Sequence, residues 1–446
     1  MGSAAHPRAV NPGARMLRIA LSPAIGGRRE DPATVEVPLN PDGRLRIESL
    51  AGARQGAPSR SAGPRADDIR QLELQMVDRR FGRITLSNVV SQFTPNWFSV
   101  TMGTGVLALA LNQIPLRIPG IHDLAGGLWL LDIVLFVLFT VIYAARWVFF
   151  FDDARRIFWD PVVSMFLGAI PMGLATIING LVVFDGWEPA VCIAYALWWG
   201  DVTMSVACGL LVPFLMFTIQ DHSMEKMTAV WLLPIVAAEV AAVSGALLLP
   251  HLSTSEAFNV LILSYALWAF SVPLAMSILV ILLLRLALHK LPDQDMAASG
   301  WLALGPIGTA ALGLLLLGGD APTVFAVSGH SGVGEVAFGL GIIGGTMLWG
   351  YGFWWLLLTI LKTWRYLRDG MSFNLGCWGL TFPLGVYSLA TLALAHVTHL
   401  AFFSFVGSIL VMCLAALWLI VAVLTIVDGW DGYLFRRAVS TPRLRY

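Results

Sequence analysis

Three carboxylates lie where an acid is costly: Asp132, Asp201 and Glu239 each sit inside a long apolar run. A carboxyl group at membrane depth is a candidate for ion or proton handling, and Glu239 is the sharpest case because it follows Pro234 by five residues. The competing reading of Glu239 is a neutral, hydrogen-bonded packing group. Asp201, after Trp198-Trp199-Gly200, reads as structural. A second set of residues offers weaker polar chemistry. Gly103-Thr104-Gly105, the prolines Pro171, Pro234, Pro306 and Pro383, and the hydroxyls of Thr101, Ser244, Thr309 and Thr381 all fall on alternate apolar runs. A proline inside a helix removes one amide donor and bends the chain, so each of these runs is expected to break near mid-membrane. The freed backbone groups must then face protein or water. Together with helix-end dipoles and hydroxyls they can hold an anion loosely enough to release it. No Lys or Arg stands at mid-depth in these runs. Phe382 immediately precedes Pro383, where a ring turned toward an axis could close a narrow path by excluding water.

Other chemistries find little support. Cys192, Cys208, Cys377 and Cys413 each fall inside an apolar run and form no Cys-x-x-Cys pair, so they read as buried packing thiols rather than metal or redox groups. A membrane haem would need histidines facing each other from neighbouring helices. Only His396 falls within an expected span, with His399 just beyond the same end. There is no phosphate-binding G-x-x-x-x-G-K-[ST] loop, so nothing here hydrolyses ATP. The expectation is therefore no enzyme, no cofactor and no bound metal, and the formal net charge of zero gives no pull toward nucleic acid.

These residues are positioned by an internal repeat. Leu-Trp recurs at Leu128-Trp129, Leu197-Trp198, Leu267-Trp268, Leu348-Trp349 and Leu417-Trp418, with tryptophan spacings of 69, 70, 81 and 69 residues. Between those runs lie the proline-bearing runs and a first one that starts at Pro95 and is interrupted instead by Gly103-Thr104-Gly105. The unit is one interrupted helix and one continuous helix, copied five times. Its tryptophans read as packing or interfacial residues. With 57% hydrophobic and 13% charged residues and a mean hydropathy of +0.75, the chain lives in lipid. Spans are expected near 94–112, 124–150, 161–183, 190–219, 228–248, 257–288, 301–319, 334–361, 377–397 and 402–428. The fold class is an all-α membrane protein whose broken helices ring a shared axis and line a solute path.

Ten spans put both termini on one side. Of seventeen Lys and Arg from residue 79 onward, sixteen fall on that side and Arg117 alone on the other, which places both termini in the cytoplasm. Arg146 and Arg285, near that end of their helices, are expected to snorkel to water. Residues 1–85, rich in Pro, Gly, Ala, Ser and Arg, read as a disordered cytoplasmic leader without a signal-peptide core. The true start could lie at Met16 or Met76. A short amphipathic helix on the membrane surface is expected within 71–92. Residues 86–430 form the transport domain and 431–446 a cytoplasmic tail.

The string Phe93-Thr-Pro95-Asn-Trp97-Phe98-Ser-Val-Thr101-Met102-Gly103-Thr104-Gly105 resembles the opening span of the tellurite-resistance/dicarboxylate transporter family. Trp231-Leu-Leu-Pro234-Ile-Val, Leu304-Gly305-Pro306 and Trp378-Gly-Leu-Thr381-Phe382-Pro383 match in the same order, and the likeness covers about residues 90 to 430. That family includes bacterial TehA, malate permeases, sulfite exporters and plant slow anion channels; the Met-Gly-Thr-Gly opening is nearer the malate and sulfite branch. The resemblance implies ten helices as five hairpins around a quasi-fivefold pore, a homotrimer in the cytoplasmic membrane, and a phenylalanine gate that falls on Phe382. It implies transport of small anions, C4-dicarboxylates such as malate or else sulfite. A channel for chloride or nitrate, or a tellurite-resistance permease, is the alternative. Glu239 belongs to none of the matching motifs.

Overall fold

The computed structural model describes residues 16–20, 34–38, 86–116, 118–370 and 373–430. Two units make up the chain, Met1–Gly82 and Arg83–Tyr446. In the first, strands β1 (Met16–Ala20) and β2 (Thr34–Pro38) pair antiparallel with Met16 opposite Pro38 and Ala20 opposite Thr34. That pair departs from the expectation of a structureless leader. The second segment alternates polar and apolar residues, Thr-Val-Glu-Val, and the first sets Arg18 between Leu17 and Ile19, a short strand pattern that composition alone conceals. The rest of the leader, most of the expected surface helix and the tail 431–446 lie outside the described residues; of that helix, Leu86–Gln92 is present.

The second unit is built from ten long helices: α1 (Phe98–Gln113), α2 (Ile121–Phe149), α3 (Ala169–Gly180), α4 (Glu188–Thr218), α5 (Leu233–Leu248), α6 (Thr254–His289), α7 (Leu304–Val327), α8 (Ser331–Asp369), α9 (Thr381–Thr398) and α10 (Ala401–Trp430). Counting the short helical segments that extend them, nine among the described residues are long and apolar enough to cross a membrane. The exception is α1, with 16 residues. The odd and even members differ in where they sit. In the most apolar stretch of α3, α5, α7 and α9, between 72% and 94% of residues are buried; in the even helices the share is 17% to 39%. Every residue of α1 from Phe98 to Leu111 is buried. Odd helices are therefore the core, and even helices carry the exposed apolar surface, Phe217, Met347 and Ile426 among it, that suits contact with lipid.

Packing order is cyclic. Helix α1 packs on α3, α3 on α5, α5 on α7, α7 on α9, and α9 back on α1. Each even helix packs against the odd helix before it and the odd helix after it, with α10 bridging α9 and α1.

Two expectations about the odd helices are corrected. No break occurs at Gly103-Thr104-Gly105, because α1 runs through all three as one helix. The glycines serve close packing instead: a Cβ on Gly103 would lie 2.2 Å from Thr381 Oγ1, and one on Gly105 would lie 2.4 Å from Asp132 Oδ2. Nor do the prolines break mid-helix. Pro171, Pro234, Pro306 and Pro383 occupy the second or third residue of α3, α5, α7 and α9. In a first turn the missing amide has no α-helical acceptor to lose, so the proline is tolerated there. The segments just before these helices, Val163–Gly168, Ala229–Leu232, Gln294–Ala303 and Leu375–Leu380, wind more tightly as 3-10 helix and pass into α-helix without leaving helical geometry. The irregularity is thus a change of winding near one end of each odd helix.

Three smaller differences follow from side-chain placement. Cys192 and Cys413 are exposed on the lipid-facing helices α4 and α10, whereas Cys377 is buried as expected. Arg146 does not snorkel but is buried, donating to the Phe93 carbonyl at 2.6 Å and the Asp153 carbonyl at 3.1 Å. Arg285 is likewise buried and donates to the carbonyls of Glu225 and Lys290. Both fasten a loop to the end of an even helix.

Candidate functional site: a cavity shared by the five repeats

The five Leu-Trp tryptophans point inward, each toward the odd helix of the next repeat. Trp129 donates to the Ile177 carbonyl at 3.4 Å, Trp198 to Ala241 at 2.8 Å and Trp268 to Ala310 at 3.1 Å. Trp349 donates to Thr391 Oγ1 at 2.9 Å, and Trp418 to Thr104 Oγ1 at 3.0 Å. Sequence reading placed these residues in the repeat but missed this role. An indole N–H turned into lipid would be unpaired, so a partner on the next helix is the arrangement a membrane favours.

At the end where the odd helices begin, a cavity of about 90 Å³ opens between them. All five repeats contribute: Asn96, Ser99 and Met102 from the first, Phe166 from the second, Val230 and Leu233 from the third, Ser299 and Leu302 from the fourth, and Asn374, Trp378 and Phe382 from the fifth. That volume has room for a few waters or one small solute, since a single water needs roughly 10–15 Å³ by the same measure. No Lys or Arg lines it, and its single charged lining residue is Asp295. The odd helices begin at this end, so their dipoles direct partial positive charge toward it, although the first amides of α3, α5, α7 and α9 are already bonded to the 3-10 turns ahead of them.

The residues singled out in the sequence divide. Phe382 lines the cavity and is 4% exposed. Thr381 and Pro383 flank it, but the Thr381 hydroxyl donates to the Trp378 carbonyl at 2.7 Å. Gly103, Thr104 and Gly105 are not on the wall, although their neighbour Met102 is. Pro171, Pro234 and Pro306 also stand back from it. Hydroxyls proposed as anion donors are occupied: Thr101, Thr104, Ser244 and Thr309 each donate to a carbonyl of their own helix, at 2.8, 2.8, 3.3 and 2.9 Å. They can present lone pairs but no proton. The wall residues that the sequence left unmarked are Asn96 and Ser99, just after Pro95, and Ser299 and Asn374, in or beside the 3-10 segments ahead of Pro306 and Pro383. Their signal was a polar residue within about ten positions of a proline near the start of α1, α7 or α9.

The buried carboxylates take separate places. Asp132 accepts from Thr176 Oγ1 at 2.8 Å, tying α2 to α3. Asp201 is fully buried with neither oxygen hydrogen-bonded. These two and Ser271 occupy the same register, three residues after a repeat tryptophan. Glu239 is fully buried and absent from the cavity wall. Ser271 of α6 approaches its carboxyl group, yet the Ser271 hydroxyl donates to the Ile235 carbonyl at 2.8 Å and both Glu239 oxygens lack a partner. Glu239 therefore faces the α5–α6 seam.

The membrane region that holds this cavity is similar to known proteins. The family model for voltage-dependent anion channels (SLAC1) matches residues 92–426. A sulfite efflux pump of Trichophyton rubrum is 38% identical over 355 residues, covering 78% of this chain and 93% of the relative. An uncharacterized transporter of Methanocaldococcus jannaschii is 26% identical over 78% of the chain and 97% of the relative. The malic acid transport protein of Schizosaccharomyces pombe is 22% identical over 77% and 80%. A helical membrane protein that matches channels and transporters along its whole core is a transporter of anions and not an enzyme. The chain thus belongs to the voltage-dependent anion channel family, the tellurite-resistance/dicarboxylate transporter group that its motifs resemble.

Proposed function

We propose that small anions cross through the middle of the ring of α1, α3, α5, α7 and α9, with ten crossings, a quasi-fivefold pore and both termini in the cytoplasm. The observation that carries this reading is that one cavity is walled by residues of all five repeats. The cyclic order of packing supports it, as does the tryptophan of each repeat reaching the next. Helix α1 completes the count with its preceding turn, Pro95–Trp97, which lengthens it toward the roughly 20 residues a crossing needs. Phe382 is the constriction: a phenyl ring on the wall of a narrow cavity without basic residues blocks hydrated ions by excluding water. A homotrimer, with one pathway in each subunit, is carried over from the family resemblance.

Sulfite is the leading substrate, and its direction is outward. The curated relative at 38% identity is a sulfite efflux pump, and the malic acid transporter at 22% makes C4-dicarboxylates the second reading. An inside-negative potential drives anion exit with roughly 2.3 kcal/mol per charge per 100 mV, so no nucleotide is needed. The deciding experiment is a proteoliposome flux panel of sulfite, malate, succinate, nitrate and chloride. Sulfite should move fastest; no flux above protein-free vesicles for any of the five would defeat the proposal.

A further inference from the structure

Beside the central cavity, at the same end of the odd helices, lies a second and smaller pocket of about 20 Å³, lined by Arg285 of α6, Lys362 and Tyr366 of α8, Thr228 and Ser299. Ser299 lines both cavities. Two cations border this space and no Asp or Glu does.

Among the described residues, neither cation is paired with an acid. Arg285, 4% exposed, donates among the described residues to backbone carbonyls, Nε and Nη2 to Glu225 and Nη1 to Lys290. A guanidinium has five N–H groups, so two remain. Lys362 is half-buried and stacks over the Trp355 ring at 5.9 Å, with no ion pair among the described residues. Its ammonium approaches Gly300 so closely that a Cβ there would lie 2.7 Å from Nζ. The acid near Tyr366, Asp293, is exposed to solvent. The repeat makes Lys362 stand out further. It lies thirteen residues after Trp349, a register occupied by Ile142, Leu211 and Ile281 in the first three repeats. A lysine at that level, with its charge uncompensated beside a buried arginine, costs desolvation that an apolar residue would avoid.

We propose that Lys362 and Arg285, with Tyr366, Ser299 and Thr228, form a second anion-binding site that takes one small oxyanion or the phosphate of an anionic lipid headgroup and stands next to the central cavity across Ser299. At roughly 10–15 Å³ per water the enclosed space holds about one water, enough for one anionic oxygen placed beside the two cations with the rest of its group lying outside. An ammonium with free donors and a guanidinium with two spare N–H groups supply charge-assisted hydrogen bonds to such a group. An anion held there raises the local supply at the mouth of the central cavity.

The test uses the full chain in nanodiscs and reads binding, not flux, so its failure leaves the central pathway standing and a failed flux panel leaves this site standing. In neutral-lipid nanodiscs, sulfite is titrated while the thermal midpoint is followed by tryptophan fluorescence. In nanodiscs containing phosphatidylglycerol, retained lipid is counted by native mass spectrometry. Lys362→Met should weaken the sulfite response, or the retention of phosphatidylglycerol, by about tenfold, the size of one charge-assisted hydrogen bond. The first result identifies a soluble ion and the second a headgroup. Gly300→Ala, which displaces the amine without removing its charge, should weaken the same response, and Lys362→Arg should preserve it. Should Lys362→Met fail to fold, Gly300→Ala decides alone. Ligand responses equal to the parent protein in both arms would overturn the site.

Discussion

Trp418 Nε1 donates to Thr104 Oγ1 at 3.0 Å, joining the last long helix to the first across 314 residues of chain. The same bond recurs at the other four repeats over 42 to 48 residues, so the molecule uses one device five times and the fifth copy closes the circle. Helices in lipid gain little from apolar burial against one another, which leaves packing and interhelical hydrogen bonds to fix their order.

Trp418→Phe should therefore loosen the seam between α10 and α1 while keeping most of the ring packing. Interhelical hydrogen bonds in membranes average about 0.6 kcal/mol and reach about 1.7, so a loss in that range is expected. A double-mutant cycle with Thr104→Val, read as unfolding stability in detergent, measures it. Strict additivity of the two substitutions would show that the hydrogen bond contributes nothing.

The repeat was legible in the sequence because tryptophan is rare and its spacing regular; the destination of each indole was not. A bond from Trp418 to Thr104 depends on the chain closing into a ring, a fact that no local window contains. The prolines were found at the right positions and given the wrong consequence. Read as interior residues they break a helix, yet the structure starts the α-helix one or two residues before each, where they do no harm. That shift in helix start also explains why the cavity wall was missed. Much of it is formed by the tighter segments at the starts of the odd helices, in or beside which Asn96, Ser299 and Asn374 sit among residues with no clear period. Phe382 was found because it touches a proline, and its place on the wall follows from the same junction.

Phe382→Ala should raise sulfite flux through proteoliposomes. Removing the ring widens the cavity at its narrow wall and exchanges apolar surface for water, on the order of tenfold in rate if about 1.4 kcal/mol leaves the barrier. Single-channel or stopped-flow currents check it, with Phe166→Ala, on the opposite repeat, as the companion. Flux equal to the parent protein would assign the gate elsewhere.

Glu239→Gln should leave the pH dependence of flux unchanged. The carboxyl group is off the cavity wall, and a proton-coupled step there would need a water route from the cavity to the α5–α6 seam. Glutamine keeps shape and volume, so thermal stability should be conserved or rise slightly as a costly buried acid is removed. Flux measured from about pH 5 to pH 8 decides the role, with abolition of the pH response in the variant making Glu239 a proton carrier.

Outside the membrane-spanning segments, His222 should make stability fall in mild acid. Its Nε2 meets Gln220 Oε1 at 2.9 Å, and its ring stands edge-on to Trp231 with centroids 5.1 Å apart. Burial against these groups lowers its pKa from the ordinary 6.5, and the Asp221 charge opposes this only in part. The unfolded chain thus binds a proton on His222 before the folded chain does. Stability is then highest above the unfolded value near 6.5 and is lost as pH falls toward the folded pKa. Gln220 in turn donates to Ser164 Oγ at 3.0 Å and to the Phe158 carbonyl, so charging His222 presses on the loop that enters α3. In His222→Gln the amide can replace the imidazole in its hydrogen bond but cannot titrate. Its thermal midpoint, followed from about pH 8 down to about pH 5, should lack the acid-side decline of the parent. Parallel curves for the two proteins would place the acid sensitivity in another group.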